Sequence, residues 1–207
     1  MKKGVLLFDI DRTIFDTDKM SAFLSEKLGD ILGRQNITEI NRIKQDYIGS
    51  LERDREFTPD EFCRRLAKKF GVLDRGLLKV FYGSEFNYIY QECVFSEFFE
   101  LYKELENKFN FGVYSEGTLK FQMHKFKSMQ IGKYLKKDLI FVLPVKDNAK
   151  TLKLVPKEAV IVDDKEIVCE VLNKNGFHAI WLNKKDGRES VKFDTIHSLL
   201  ELPDKLM

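Results

Sequence analysis

Two aspartates, Asp9 and Asp11, stand directly behind the apolar run Val5-Leu6-Leu7-Phe8, in the order Phe8-Asp9-Ile10-Asp11-Arg12-Thr13. Set two residues apart, they point to the same side wherever the strand continues. Neighbouring carboxylates repel, so such a pair is normally kept because a cation or a proton sits between them. A carboxylate beside a hard cation can approach an anionic centre as a nucleophile, and a second carboxyl can supply or remove a proton. The plainer reading of the same residues is a polar exit from a strand in which one Asp caps a helix.

What could hold such a pair is visible in the rest of the chain. Apolar runs at 5–10, 109–114, 139–143, 159–162 and 179–182 are continuous rather than alternating, the pattern of strands buried on both faces of a parallel sheet. Helical patterns separate the last four. One carries Leu119, Phe121, Met123 and Phe126; another carries Ile167, Val168, Val171 and Leu172 and closes at Gly176. Strands alternating with helices give a three-layer α/β/α core, Rossmann-like, in which ligands bind at the carboxyl edge of the sheet.

The stretch from Asp18 to Phe95 contains no convincing strand. Residues 21–32 place Phe23, Leu24, Leu28 and Ile31 on one helical face. Thr58-Pro59-Asp60-Glu61 opens a second helix, with Thr as cap, Pro at the first position and Glu at the third. A third helical segment, rich in aromatics, covers 77–90. The expected organisation is an α/β core of residues 1–17 and 96–207 with an all-helical insert of residues 18–95.

The chain of 207 residues, 43% hydrophobic and 33% charged, is long enough for that core plus the insert. The 18 phenylalanines are expected to fill the interior. A net charge of +2 with interspersed signs does not mark a nucleic-acid-binding protein. Cys63, Cys93 and Cys169 are scattered and odd in number, against a disulfide framework or a structural zinc site. The amino-terminal apolar run is broken by Asp9 and Asp11 too early for an export signal or a membrane span, and the protein reads as cytoplasmic and reduced.

The hydrophobic strand followed by Asp9-Ile10-Asp11-Arg12-Thr13 resembles the first signature of the haloacid dehalogenase-like superfamily. The resemblance implies that Asp9 attacks phosphorus to form an aspartyl-phosphate, and that Asp11 protonates the leaving group and then activates water. Dehalogenases of that superfamily lack the second Asp, so Asp11 favours phosphoryl transfer. Ser115, in Ser115-Glu116-Gly117 behind the second strand, is similar to the hydroxyl that binds the phosphoryl group. The required lysine matches Lys146, with Lys150 a competitor in the same lysine-rich loop. Asp163-Asp164 resembles the acidic fourth signature, which completes a Mg2+ site with Asp9 and the backbone carbonyl of Asp11. Direct coordination is assigned to Asp164, with Asp163 and Thr13 in support, although the reverse order of the two carboxylates is open.

An insert after the first signature is where the superfamily places a helical cap, as in phosphoglycolate phosphatase-like members. The hinge is expected at residues 15–18 and 94–97. Such a lid implies a small phosphorylated substrate and no nucleic-acid or membrane partner. Arg42, Lys44, Tyr47, Arg53, Arg55 and Tyr88 are insert residues that could meet substrate, and none is singled out as a specificity determinant. Asp16 and Asp18 read as loop caps, Arg12 as outward-facing, and Trp181 as core. His124, His178 and His197 show no ligand spacing. The implied activity is a magnesium-dependent phosphomonoesterase. Alternatives are a phosphotransferase or sugar-phosphate mutase on the same residues, or a non-catalytic binding module. Oligomeric state is not legible.

Overall fold

The computed structural model describes residues 3–52, 56–146 and 148–206. Its centre is β1 (Gly4–Phe8), whose Leu6, Leu7 and Phe8 are wholly buried. With no polar side chain to satisfy, such a run belongs between two other strands. It pairs in parallel with β2 (Phe109–Glu116) on one side and β4 (Ala159–Asp163) on the other. β3 (Ile140–Leu143), β5 (His178–Leu182) and β6 (Thr195–Ile196) complete a parallel sheet of order β3-β2-β1-β4-β5-β6. The five expected strands are all present. The sixth is too short to give a periodicity signal.

Alternate β1 side chains feed two separate layers. Leu6 and Phe8 pack with Phe98 and Leu101 of α6 (Ser96–Leu105) and with Phe111 of β2. Phe8 meets Phe111 and Phe98 at ring-centroid distances of 5.4 and 6.0 Å. Val5 and Leu7 face Val168, Cys169 and Leu172 of α9 (Glu166–Lys174). On the α9 helix Ile167 is 60% exposed, and Cys169 takes the inward place that periodicity gave to Ile167. The core layers are completed by α7 (Leu119–Ser128), α8 (Ala149–Leu152) and α10 (Leu202–Leu206).

Between β1 and β2 lie α1 (Thr17–Leu32), α2 (Ile37–Gly49), α3 (Pro59–Phe70), α4 (Asp74–Tyr82) and α5 (Asn87–Glu92). Leu28, Ile40, Phe62, Leu66 and Phe81 form a third cluster apart from the two sheet layers. Thr58 caps α3 by accepting from the Glu61 amide. The single helix expected at 77–90 is instead divided at Gly83, whose extended backbone ends α4. Ile31, expected inside, is half exposed because α1 buries Met20, Ser25 and Leu28 instead. The two chain crossings lie side by side: Asp16 donates to the Cys93 carbonyl at 2.7 Å and Phe95 to that of Ile14 at 3.0 Å. All three cysteines are buried and unpaired. Among the described residues no helix is long and apolar enough to cross a membrane.

Glu97 at the start of α6 ties the far end of the sheet together, accepting from Lys184 Nζ at 2.9 Å, Ser198 Oγ at 3.1 Å and the Leu199 amide at 3.3 Å. Burial alone would raise its carboxyl, but these donors outweigh it and the net displacement is downward from 4.5. A depressed carboxyl stabilises the fold above its unfolded pKa and loses that contribution as pH falls through the folded value. Glu97→Gln should therefore cost about 1 kcal/mol at pH 7, read as a melting point lowered by a few degrees. The gap between variant and wild type should close below about pH 4.

Candidate active site

In an open α/β sheet the strand order reverses at one place, and the crevice beyond the strand ends there is where ligands lie. Here that place is between β1 and β4. β1 delivers Asp9 and β4 ends in Asp163-Asp164, with the Asp9 amide held by the Val162 carbonyl at 2.9 Å. The chain then turns through Ile10–Phe15, with the amides of Thr13, Ile14 and Phe15 all directed to the Ile10 carbonyl. Arg12 sits in the left-handed region at φ 58°, a conformation that costs a non-glycine residue of order 1 kcal/mol. That turn carries Asp11 to Lys125 and Thr17, outside the carboxylate group of Asp9, Asp163 and Asp164.

Lys146 is the hub. Its side chain is fully buried, with Nζ at 2.9 Å from Asp9 Oδ1 and 2.5 Å from Asp163 Oδ2. Its amide donates to Glu116 Oε2 at 3.0 Å, and its carbonyl accepts from the Tyr114 hydroxyl. Burial pushes its ammonium toward neutrality, but Asp163 and Asp9 outweigh this and raise its pKa, so it is a fixed positive charge. The competing lysine, Lys150, is exposed in the first turn of α8. The loop geometry therefore brings Lys146 to the carboxylates and leaves Lys150 outside.

Carboxylate oxygens of Asp9, Asp163 and Asp164 lie within 4.8 Å of one another. Three acids against one ammonium leave excess negative charge in a buried place, and burial raises Asp9 well above the usual carboxylate range despite Lys146. Asp164 is raised too, chiefly by burial and then by Asp163. Both Asp163 oxygens are engaged, one by Lys146 and the other by the Lys165 amide at 2.9 Å. No such bond engages the Asp164 carboxylate among the described residues. Its backbone carbonyl is fixed by Trp181 Nε1 at 3.0 Å. Hard oxygen donors with unbalanced charge fit a divalent cation such as Mg2+, with the Asp164 carboxylate and the Asp9 oxygen not bonded to Lys146 as the open donors.

Asp11 is held quite differently. Its oxygens accept from Lys125 Nζ at 2.7 and 2.8 Å, from Thr17 Oγ1 at 2.7 Å and from Gln122 Nε2 at 3.3 Å. Burial would raise its carboxyl, yet Lys125 first, then Thr17 and Gln122, hold it down to about 2. Lys125 and Gln122 stand on α7, whose buried residues are Gln122, Lys125 and Ser128, while Phe121 and Phe126 are half-buried and pack on the neighbouring apolar clusters. Leu119 is 65% exposed. Gly117, at φ 142°, makes the turn into α7 and lets Gln122 Nε2 reach the Glu116 carbonyl at 2.9 Å. Sequence reasoning missed Lys125, Gln122 and Thr17. The only signal was an i, i+3, i+6 polar stripe, which elsewhere marks a solvated face.

Thr13 Oγ1, Ser115 Oγ and Gln122 Oε1 are buried with no partner within the protein. A buried polar atom without a partner costs about 1–3 kcal/mol, so such atoms beside the strand ends suit a bound polar group. Ser115 itself is wholly buried at the end of β2 and bonds none of the acids directly. A cavity of about 600 Å3 opens above Asp9, Asp11 and Asp164 and extends between α1, α2 and α3.

The remaining candidates fall mainly outside that cavity. Arg42 pairs outward with Glu39 and Asp46, Tyr47 is buried under Arg65, and Tyr88 edges Phe23 on the surface. Arg53 and Arg55 lie outside the described residues. Asp16 caps α1 through the Lys19 amide, whereas Asp18 pairs with Arg12 at the cavity mouth. His124 packs edge-on against Tyr82 and Tyr90; His178 and His197 bond Asp194 and the Asn183 carbonyl. Lys44 does line the cavity.

No protein-family model matches the chain, and no curated protein matches its sequence. Solved structures do match. A protein of Burkholderia xenovorans LB400 classed as a haloacid dehalogenase-like hydrolase superposes with a TM-score of 0.74 at 19% identity, covering 99% of this chain and 96% of the other. The haloacid dehalogenase-type YfnB of Bacillus subtilis, in a magnesium-bound form that reveals interdomain movement, gives 0.64 at 19% identity over 100% and 99%. A phosphatase of the same type from Thermococcus onnurineus gives 0.58 at 21% identity over 98% and 97%. L-2-haloacid dehalogenases also match. The chain has the haloacid dehalogenase-like fold over its whole length.

The contrast between the two lysines is directly measurable. Lys146→Met leaves Asp9 and Asp163 buried without their ammonium and should cost about 3–5 kcal/mol in urea unfolding. Lys150→Met, a surface change, should stay within about 0.5 kcal/mol. Equal effects would contradict the assignment of Lys146 as the buried hub.

Proposed function

We propose that this chain is a magnesium-dependent phosphatase acting on a small phosphomonoester. The observation that carries the reading is two carboxylates lining one cavity in opposite environments. Asp9 touches a fixed ammonium and shares a cation-ready cluster, while Asp11 is held apart by Lys125 and Thr17. A dehalogenase needs only the first. The second acid, together with its own supporting residues, favours a reaction in which a proton must be delivered and then withdrawn.

In this reading Asp9 attacks phosphorus and forms an aspartyl-phosphate while the P–O bond to the leaving group breaks. Lys146 orients the attacking carboxylate and neutralises charge beside it. Ser115 and Thr13, whose hydroxyls lack partners, are suited to the phosphoryl oxygens. Asp11 protonates the departing oxygen and then takes a proton from the water that releases phosphate. Mg2+, held by Asp9, Asp164 and the Asp11 carbonyl, would supply charge neutralisation for the dianionic ester. The helical segment 18–95 is read as a lid on a core of 1–17 and 96–207, pivoting at the paired crossings, and the movement in YfnB supports that reading. The size of the cavity and the balanced charge favour metabolite-sized substrates over a nucleic-acid or membrane partner, and the enzyme is read as cytoplasmic.

Purified protein should release inorganic phosphate from members of a metabolite-phosphate panel with Mg2+ and not with EDTA. Asp9→Asn should abolish release, lowering kcat by at least about a thousandfold. Turnover by Asp9→Asn at wild-type rate would sink the proposal. Removing the cation from Asp11 has a signed consequence. Lys125→Met should raise the Asp11 carboxyl from about 2, so activity that needs ionised Asp11 should be lost at higher pH than in wild type. A pH–kcat profile whose acid limb does not move would remove Lys125 from the mechanism.

A further inference from the structure

The floor of the cavity is charged, but most of its wall is not. Leu24, Ile48, Leu51, Phe57 and Phe121 turn apolar surface into it, backed by buried Leu28, Phe62 and Phe81. Its roughly 600 Å3 falls in the range, about 300–1,000 Å3, of pockets that enclose ligands far larger than a two-carbon phosphate. A polyhydroxylated ligand would lose its water against that wall and find few partners in exchange.

One polar feature interrupts the wall. Lys44 of α2 lines the cavity half-buried and donates to Ser21 Oγ of α1 at 2.6 Å. No ion pair forms between it and any carboxylate of the described residues, and burial lowers its pKa, with only the more distant Asp18 opposing. Ser21 lines the same cavity, and accepting from Lys44 leaves its hydroxyl hydrogen available to donate. Together they offer two donors and one uncompensated charge. Two further acids of the cavity lining are otherwise committed: Glu116 of the core faces Lys165 at 3.5 Å, and Glu56 of the helical segment hydrogen-bonds Glu116. An anionic group entering the cavity is therefore directed either to the Asp9 floor or to the Lys44 wall.

We propose that the substrate is a phosphomonoester whose alcohol portion is a mainly apolar body bearing a second anionic group, the body lying on the Leu24–Ile48–Phe57–Phe121 wall and the anion at Lys44 and Ser21. The proposal rests on the phosphatase reading for which group is the reacting one. It goes beyond that reading in fixing the shape and charge of the rest of the molecule.

The test is a ladder of non-hydrolysable phosphonates titrated calorimetrically into the Mg2+-loaded protein: methylphosphonate, 4-phenylbutylphosphonate, and the same compound with a para-carboxylate. Burial of the aryl-alkyl body should tighten binding by about thirtyfold or more over methylphosphonate. The carboxylate should add about another tenfold. In Lys44→Met the ratio between the carboxylated and plain aryl compounds should fall to under about twofold, with Lys44→Arg restoring most of it. Equal affinities along the ladder, or tightest binding of methylphosphonate, would overturn the apolar body. A carboxylate gain that survives Lys44→Met would overturn the anion site. Phosphate release from matching esters by wild type is measured in parallel. If the ladder holds and no ester is cleaved, the ligand class stands and the phosphatase reading falls. If small sugar phosphates are cleaved fastest and the ladder is flat, the reverse is true.

Discussion

One ammonium group, Lys146 Nζ, sits with no solvent exposure between the carboxylates that end two neighbouring strands. A charge in that place is tolerable only if opposite charges meet it at hydrogen-bond distance, which constrains everything around it. β1 and β4 must be adjacent and parallel for Asp9 and Asp163 to converge, and that is the topological switch of the sheet. The lysine arrives from the loop after β3, two strands away, so β2 lies between. Tyr114 and Glu116 of β2 accordingly hold the lysine backbone from both sides. The ion cluster and the strand order are two descriptions of one constraint.

The second organising element is α7. Its polar face is buried against Asp11, while Phe121 packs on Phe57, Phe81 and Tyr82, and His124 on Tyr82 and Tyr90. Lys120 pairs with Asp60 at 2.6 Å, and Ser128 donates to Asn87 at 2.9 Å. The helix that positions the second carboxylate is thus also the one the helical segment rests on. Any displacement of that segment acts on the same face of the helix that holds Asp11, where Lys125 Nζ lies 5.2 Å from the Phe121 ring. This contiguity is physical, through packed rings and direct bonds.

How much of this the sequence carries follows from the same physics. Strands buried on both faces leave continuous apolar runs, so β1 to β5 were legible, and so were the acids at their ends. The Thr58 cap was legible because capping is local. The choice of Lys146 over Lys150 needed the path of a loop in three dimensions. The polar face of α7 was unreadable for a deeper reason: Gln122 and Lys125 are inside because a partner 111 or 114 residues away needs them, and periodicity sees only neighbours. Ile31 and Ile167 misled in the opposite sense. Each lies near an apolar stripe, yet Ser25 and Cys169 occupy the inward places because small side chains permit closer packing there.

Two carboxylates two residues apart have been driven in opposite directions, and the directions are instructive. Pairs of acids pushed apart usually reveal which one carries a proton. Taken from the protein alone, the raised one is Asp9, which the proposed reaction needs ionised, and the depressed one is Asp11, which it needs first as an acid. In the proposed reading, positive charge added among Asp9, Asp163 and Asp164 would lower Asp9, because the push on it comes from burial and acidic neighbours that such charge offsets. An anionic leaving oxygen arriving beside Asp11 competes with the carboxylate for Lys125 and Thr17, and that competition raises Asp11 in turn. In the proposed reading, each acid would therefore reach its working protonation state only when the cation and the ester are both in place.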